Sequence, residues 1–310
     1  MRRKNQKNTP RDAVLSKSRP KSGKSASPAR RPSATQKGSH HAVSALPEQA
    51  RKARSGHLLY GYHVVMAALS NSKRQCFHLF LGQQAVEQLE GAPEGTTIAE
   101  LPKTILERQQ LDQMVRRGHP KHNSPSDIPV HQGFVLHCAP LDATFLEEWV
   151  LHLDAGMVAT RVLILDQVTD PRNIGAIMRS ALALGASAIM MTDRHAPEET
   201  GALAKTAAGA LEKLSIIRVT NLARALDSLK EAGFTLIGLE AGGTTALDPF
   251  AAEPRLGLVL GSEGAGMRRL TREGCDHLAA IPISPDSESL NVSVAAAIAL
   301  YATSFKEQGQ

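Results

Sequence analysis

Residues 166–179 carry the first group of side chains that could perform chemistry. They follow the apolar run Val162–Leu165 and lead into a predicted amphipathic helix. Its apolar stripe consists of Ile174, Ile177, Met178, Ala181 and Leu182. Asn173 is placed to cap this helix. Arg179 lies off the apolar stripe, and Gly175, one turn before Arg179, leaves space on that face of the helix. An arginine held there could grip a phosphate or a ribose oxygen in a fixed fork. Taken alone, the same residues also fit a solvated helix behind an ordinary asparagine cap.

Two later loops also follow apolar runs and are rich in small or polar residues. The first, Gly261–Met267, contains Glu263 and three glycines, so its bare backbone could approach a flat ligand closely. Its glycines are spaced GxxGxG and come late in the chain, unlike the GxGxxG of dinucleotide-binding folds, which counts against a nicotinamide-dependent enzyme. The second loop, 284–291, offers the polar side chains of Ser289 and Asn291. A tight turn explains the first loop nearly as well, and Ser289 could simply cap the following helix.

These three segments must be positioned by the elements before and after them. From Arg161 onward, short apolar runs of strand length alternate with helical segments, notably 174–184 and 221–232, which predicts a mostly parallel sheet covered by helices. The predicted strands are Val162–Leu165, Ala188–Met191, Ser215–Val219, Thr235–Leu239, Leu256–Leu260 and Ala279–Ile283. Open α/β sheets bind ligands beyond the carboxyl ends of their strands, where the three segments begin.

The chain before residue 161 divides into three parts. Residues 1–54 hold 15 Lys/Arg against two Asp/Glu and few large apolar side chains, so they predict a disordered basic tail. Residues 55–140 predict a small α/β unit with strands at Cys76–Leu81 and Gly133–Cys138 and long loops over 91–132. Residues 141–160 predict a helical linker, with Phe145, Trp149 and Leu153 at helical spacing.

Charge and composition limit the class of protein. The basic tail suits a polyanion such as RNA, although a merely solubilising tail has the same composition. Three widely separated cysteines argue against both a disulfide framework and a zinc site, and no run is long and apolar enough to span a bilayer. We therefore expect no metal, no membrane and a reducing, cytoplasmic compartment, with mitochondrial import of the acid-poor tail as the alternative.

The three segments, in this order, resemble the SpoU/TrmH branch of the SPOUT RNA methyltransferases. The resemblance covers 161–310 and rests on Asn173-x-Gly-x-x-x-Arg179, Leu260-Gly-Ser-Glu-Gly-Ala-Gly266, and Ile281-Pro282 with Ser289-Leu-Asn-Val-Ser-Val294. The stretches 218–224 and 266–273 are similar to the RlmB type, which methylates a guanosine ribose in large-subunit (23S) rRNA. Gly61-x-His63-x-Val65-x-x-Ala68-Leu69 and His131-Gln132-Gly133 resemble the L30e-like RNA-binding domain of those enzymes.

The resemblance implies a fold, a cofactor and a site. The fold is an α/β SPOUT catalytic domain with a deep C-terminal trefoil knot, preceded over 55–140 by the L30e-like domain and assembled as a homodimer. S-adenosyl-L-methionine is the implied methyl donor, and Leu239, Gly261, Ile281 and Leu290 are the residues implied to bind it. The implied catalytic residues are Asn173, Arg179, Glu263, Ser289 and Asn291. The implied partner is 23S rRNA or a precursor of the large subunit.

The sequence leaves the role of Arg179 and the identity of the substrate open. A guanidinium stays protonated up to a pH of about 12, so it is a poor base. We therefore favour a role in which Arg179 stabilises the developing alkoxide. The proton would then leave through a phosphate, water or Glu263. His195 and His277 fall outside the motifs and are expected at the surface or in packing. A tRNA ribose methyltransferase and a non-catalytic RNA-binding or ribosome-assembly protein remain the alternatives.

Overall fold

The computed structural model describes residues 56–89, 98, 100–117, 130–153, 159–194, 197 and 199–304. The predicted basic tail, His195 and parts of the segment 91–132 lie outside these ranges. The described part of that segment holds a strand, Lys103–Ile105, and a helix, Arg108–Arg117, so the prediction of long loops is wrong there. No helix in the described ranges is long and apolar enough to cross a membrane.

The first part of the described chain builds a four-stranded sheet with helices between its strands. Its elements are β1 (His57–Tyr60), α1 (Tyr62–Leu69), β2 (Cys76–Leu81), α2 (Gln83–Leu89), β3 (Lys103–Ile105), α3 (Arg108–Arg117) and β4 (Phe134–Cys138). The strand order is β1-β4-β2-β3, in which β4 runs antiparallel to both of its neighbours and β3 runs parallel to β2. The two strands predicted in this region are confirmed.

The second part builds a six-stranded sheet in which every pairing is parallel. Its elements are α4 (Leu146–Leu151), β5 (Thr160–Asp166), α5 (Pro171–Ala183), β6 (Ala188–Thr192), α6 (Gly201–Ala207), β7 (Ser215–Val219), α7 (Leu222–Glu231), β8 (Thr235–Leu239), β9 (Arg255–Gly261), α8 (Arg269–Glu273), β10 (His277–Ala279) and α9 (Val292–Ala302). The strand order is β10-β8-β9-β5-β6-β7. The prediction of a parallel α/β sheet is confirmed.

Local chemistry sets the starts of the two helices that flank the site. Helix α5 begins after Asp170, whose carboxylate accepts a hydrogen bond from the Arg172 amide, and Pro171 occupies its first position. Helix α9 begins after Asn291, whose side-chain oxygen accepts from the Ser293 amide at 2.9 Å. The prediction that Asn173 caps α5 and the alternative that Ser289 caps α9 are therefore wrong, because Asp170 and Asn291 cap these helices.

Three other sequence predictions also need correction. The strand predicted over Ala279–Ile283 is instead His277–Ala279. Leu182 was predicted in the apolar stripe of α5 but is 37% exposed. Within the described residues of 141–160, the predicted linker helix is limited to the six residues of α4, where Trp149 is buried while Phe145 stays largely exposed.

The two sheets share one hydrophobic core. Leu59 and Phe134 of the first sheet belong to the same buried cluster as Leu163 of β5 and Ile177 of α5. Gly201, at the start of α6, lies so close to Tyr60 that an added Cβ would be 2.0 Å from its ring. The first sheet is thereby packed directly onto the helical layer that covers the second sheet.

Candidate active site

A cavity of about 480 Å³ opens at the carboxyl edge of the six-stranded sheet, beyond β8, β9 and β10. It is walled by the loops after β8 and β9 and by the segment that leads from β10 to α9. Its lining consists of Leu239, Glu240, Ala241, Leu260, Gly261, Ser262, Glu263, Gly264, Ala265, Gly266, Ile281, Ile283, Glu288, Ser289, Leu290, Val292 and Ala295. The four residues predicted to bind the cofactor, Leu239, Gly261, Ile281 and Leu290, therefore lie together, with Glu263 and Ser289 beside them.

The glycine-rich loop after β9 folds back on itself. Ser262 and Gly266 form an isolated antiparallel bridge, in which their backbone amides donate to each other's carbonyls at 3.1 and 2.9 Å. A Cβ at Gly261 would lie 2.1 Å from the Gly266 carbonyl carbon, so the fold of the loop itself requires glycine there. Gly264 and Gly266 take φ values of +85° and +68°, which glycine adopts without strain. This compact turn holds Glu263 at the rim of the cavity.

Asn173, Glu263 and Asn291 form a connected polar cluster, although they are far apart in sequence. Glu263 Oε1 accepts hydrogen bonds from Asn173 Nδ2 at 2.9 Å, from Asn291 Nδ2 at 2.7 Å and from the Val292 amide at 3.3 Å. Asn291 Nδ2 also donates to Asn173 Oδ1 at 3.1 Å. Glu263 Oε2 makes no hydrogen bond to the described part of the chain. The cluster thus presents a fixed carboxylate with one oxygen open at the mouth of the cavity.

Arg179 is not brought into this cluster. It lies six residues after Asn173 on α5, which corresponds to about 9 Å of rise and about 240° of rotation, so its side chain leaves the helix in a different direction. Arg179 is exposed and makes no ion pair with the described residues. Gly175 does not leave open space beside it, because an added Cβ would lie 2.7 Å from Thr206 on α6.

Two ion pairs at this edge were missed by sequence reasoning. Asp166, the fully buried last residue of β5, accepts hydrogen bonds from the backbone amide and the Nε of Arg268. Glu240 in the cavity wall accepts two hydrogen bonds from Arg272, and these hydrogen bonds lower the pKa of Glu240. A charged residue at the end of an apolar strand was the available signal for Asp166, but nothing in the sequence indicated its partner.

The donor and acceptor set of the cavity suits a cationic organic ligand better than a metal. Aliphatic side chains from three loops can enclose a flat apolar group, and carboxylates at the rim favour a positive charge. No group of three or more His, Cys, Asp or Glu in the described residues could hold a metal ion.

Comparison with known proteins gives the family of this chain. The model of the SpoU rRNA Methylase family matches residues 160–301. A protein of Mycolicibacterium paratuberculosis named as an uncharacterized tRNA/rRNA methyltransferase is 34% identical over 237 residues, which cover 75% of this chain and 71% of that protein. The chain belongs to the SpoU rRNA methylase family. A similarly named protein of Synechocystis is 38% identical over 262 residues, but the match spans only 65% of its length. The predicted family and the RNA methyltransferase class are thereby confirmed.

Solved structures confirm the fold. AviRb from Streptomyces viridochromogenes, a SpoU methyltransferase in complex with AdoMet, matches with a TM-score of 0.64 and 21% identity over 84% of this chain and 94% of that one. An AdoMet-bound rRNA methyltransferase from Sinorhizobium meliloti matches with a TM-score of 0.64 and 20% identity, over 84% and 92% of the two chains. The predicted α/β SPOUT methyltransferase fold is therefore confirmed, while the knot and the L30e-like domain stay predictions.

Proposed function

We propose that this SpoU-family chain transfers a methyl group from S-adenosylmethionine to the ribose 2′-hydroxyl of a guanosine in large-subunit (23S) rRNA. The observation that carries the proposal is the cavity walled by the loops after β8 and β9 and by the segment from β10 to α9, with the Asn173–Glu263–Asn291 cluster at its mouth. The relatives are named tRNA/rRNA methyltransferases, and structural neighbours of the same fold were solved with AdoMet.

The cavity has the right chemistry for this cofactor. Leu239, Ile281 and Leu290 supply apolar surface for the adenine, and Gly261 allows the loop backbone to close around the ligand. Carboxylates at the rim, including Glu263, favour the positive sulfonium. The cofactor supplies an already activated methyl group, so the protein has to align the acceptor oxygen and remove its proton.

Different residues around the mouth of the cavity align the acceptor oxygen and remove its proton. Asn173 and Asn291 orient Glu263 through its Oε1, which leaves Oε2 to accept the 2′-hydroxyl proton directly or through a water. Ser289, in the cavity wall, provides a hydroxyl toward the same region. The guanidinium of Arg179 stabilises the developing alkoxide and its neighbouring phosphate. Because Arg179 lies outside the cluster, it acts from a different direction than Glu263.

The finer structural expectations belong to the same proposal. We propose that residues 55–140 form the L30e-like RNA-binding domain, that the chain is knotted around the cavity, and that the enzyme is a cytoplasmic homodimer. The segment between β10 and α9 lines the cavity beside the loop after β9, which is the region where the knot would lie. Val294, Ile298 and Tyr301 recur at helical spacing on α9 and are exposed, which supports a dimer face.

The deciding experiment is transfer of labelled methyl from S-adenosylmethionine to total rRNA and, separately, to tRNA, with Arg179→Ala as the control. We expect label in large-subunit rRNA, at a 2′-O-methylguanosine, and loss of label in the variant. Label confined to tRNA would keep the chemistry and replace the substrate. No label on either RNA, together with no cofactor binding, would instead favour a non-catalytic RNA-binding protein.

A further inference from the structure

Asp166 is a buried charge that the proposed mechanism does not use. It is the last residue of β5 and is fully buried, so its carboxylate needs a partner. That partner is Arg268: Asp166 Oδ2 accepts from the Arg268 backbone amide at 2.8 Å, and Asp166 Oδ1 accepts from Arg268 Nε at 2.7 Å. These two bonds fix both the backbone and the guanidinium plane of Arg268.

The other side of the Arg268 guanidinium faces outward. The side chain is 43% exposed although its Nε is bound to a buried carboxylate. Its terminal Nη1 and Nη2 groups make no hydrogen bond to the residues that the structure describes. Two terminal nitrogens held in a plane match the geometry of phosphate oxygens, and an arginine that is already fixed loses little conformational entropy on binding.

Through Asp166, Arg268 connects the end of β5 to the loop after β9, and both segments lead to members of the polar cluster. Asp166 is beside Gly261 in the parallel register of β5 and β9. The chain after Asp166 leads to Asn173, and the loop before Arg268 contains Glu263. Gln167, directly after Asp166, has a φ of +60°, which non-glycine residues rarely adopt, so this turn is held by its surroundings. Arg268 itself does not line the cavity.

We propose that Arg268 binds a backbone phosphate of the substrate RNA, and that Asp166 is the positioning residue that orients its guanidinium. The inference rests on the proposed function, since it assigns an RNA contact to a residue outside the lining of the cofactor cavity. The competing interpretation is that the ion pair only braces the two loops against each other.

The salt dependence of RNA binding separates these interpretations. The full-length chain is titrated with a 23S rRNA transcript over a series of KCl concentrations, as wild type, Arg268→Gln and Arg269→Gln. Arg269 is the matched control, because it is the next residue, carries the same charge and pairs with Glu273 instead. Loss of one phosphate contact should make the slope of log K against log salt shallower by about 0.7 to 0.9 in Arg268→Gln, and leave it unchanged in Arg269→Gln.

Steady-state kinetics test the positioning role. In Arg268→Gln we expect a raised KM for RNA with an unchanged KM for S-adenosylmethionine. Asp166→Asn should keep the wild-type salt slope, because Arg268 retains its charge, and raise the KM for RNA, because the guanidinium is no longer held. A wild-type KM for RNA in Asp166→Asn would remove the positioning role. If Arg268→Gln does not fold, Arg268→Lys tests the proposed phosphate contact instead. A raised KM for RNA in Arg268→Lys supports that contact, and a wild-type KM overturns it.

The wild type in the same preparations keeps the two proposals apart. If the wild type methylates no RNA, the proposed function fails. If the wild type methylates rRNA while Arg268→Gln keeps the slope of wild type and of Arg269→Gln, only the assignment of Arg268 is overturned.

Discussion

Glu263 shows how a small set of side chains becomes a site only in three dimensions. Its Oε1 accepts from donors on α5 and on the N-terminal end of α9, which are separated from it by 90 and 28 residues. The three cluster residues come from three separate segments of the chain. Their mutual hydrogen bonds are what fix the carboxylate at the mouth of the cavity.

Glu263→Gln should therefore lower kcat by roughly 10- to 100-fold, because hydrogen bonds to a charged group contribute about 1.5–3 kcal/mol and about 1.4 kcal/mol corresponds to a factor of ten. Single-turnover methyl transfer to rRNA measures the effect, with cofactor binding followed separately by calorimetry. Glu231→Gln is the control, since Glu231 ends α7 just before β8, at the opposite edge of the sheet. A Glu263→Gln enzyme with wild-type kcat would exclude this carboxylate as proton acceptor.

At the residue scale, the sequence predicted which residues meet at the site better than it predicted what each residue does there. Asn173, Glu263 and Asn291 were expected in one site and do meet. The capping role predicted for Asn173 was wrong even though Asp170 and Pro171 carried the correct signal, since an acidic cap followed by proline marks a helix start. The Asp166–Arg268 pair could not be predicted, because it joins residues 102 positions apart.

At the scale of elements, apolar runs predicted the strands correctly where the residues of the run are buried in the sheet. Ser215–Val219 and Thr235–Leu239 have the predicted bounds. Ala279–Ile283 misled because Ile281 and Ile283 are apolar for another reason: they line the cavity after β10 has ended. Residues that face a ligand site can therefore imitate the hydrophobic pattern of a strand.

The contact between α5 and α6 depends on Gly175. An added Cβ would lie 2.7 Å from Thr206 Cβ and 2.8 Å from the Leu203 carbonyl oxygen, so Gly175→Ala must push the helices apart. We expect a loss of about 1–3 kcal/mol in the free energy of unfolding, measured by urea denaturation. Gly242→Ala is the matched control because nothing lies within 4 Å of its added Cβ. Equal midpoints for the two variants would contradict close packing at Gly175.

At the scale of the whole molecule, a buried ion cluster joins the two sheets. Arg74, between α1 and β2, donates from Nη1 to Glu199 at 2.7 Å and from Nε to Glu212 at 3.1 Å, and its side chain is fully buried. Burial alone would lower the pKa of Arg74, but hydrogen bonding and charge from Glu212, with a further contribution from Glu199, raise it above its usual value. Asn71 adds a hydrogen bond to Glu212. The Arg74 guanidinium is therefore held in its charged form.

Arg74→Met should therefore destabilise the whole described unit. Removing the cation leaves two buried carboxylates unpaired, which costs about 3–5 kcal/mol. Because the sheets share a core as well as this cluster, calorimetry should show one unfolding transition in the wild type and a single lowered transition in the variant. Lys73→Met, at the exposed neighbouring position, should change stability by less than about 0.5 kcal/mol. Adding Glu199→Gln and Glu212→Gln to Arg74→Met should recover part of the lost stability. Two separate unfolding transitions in the wild type would instead show that the sheets unfold independently.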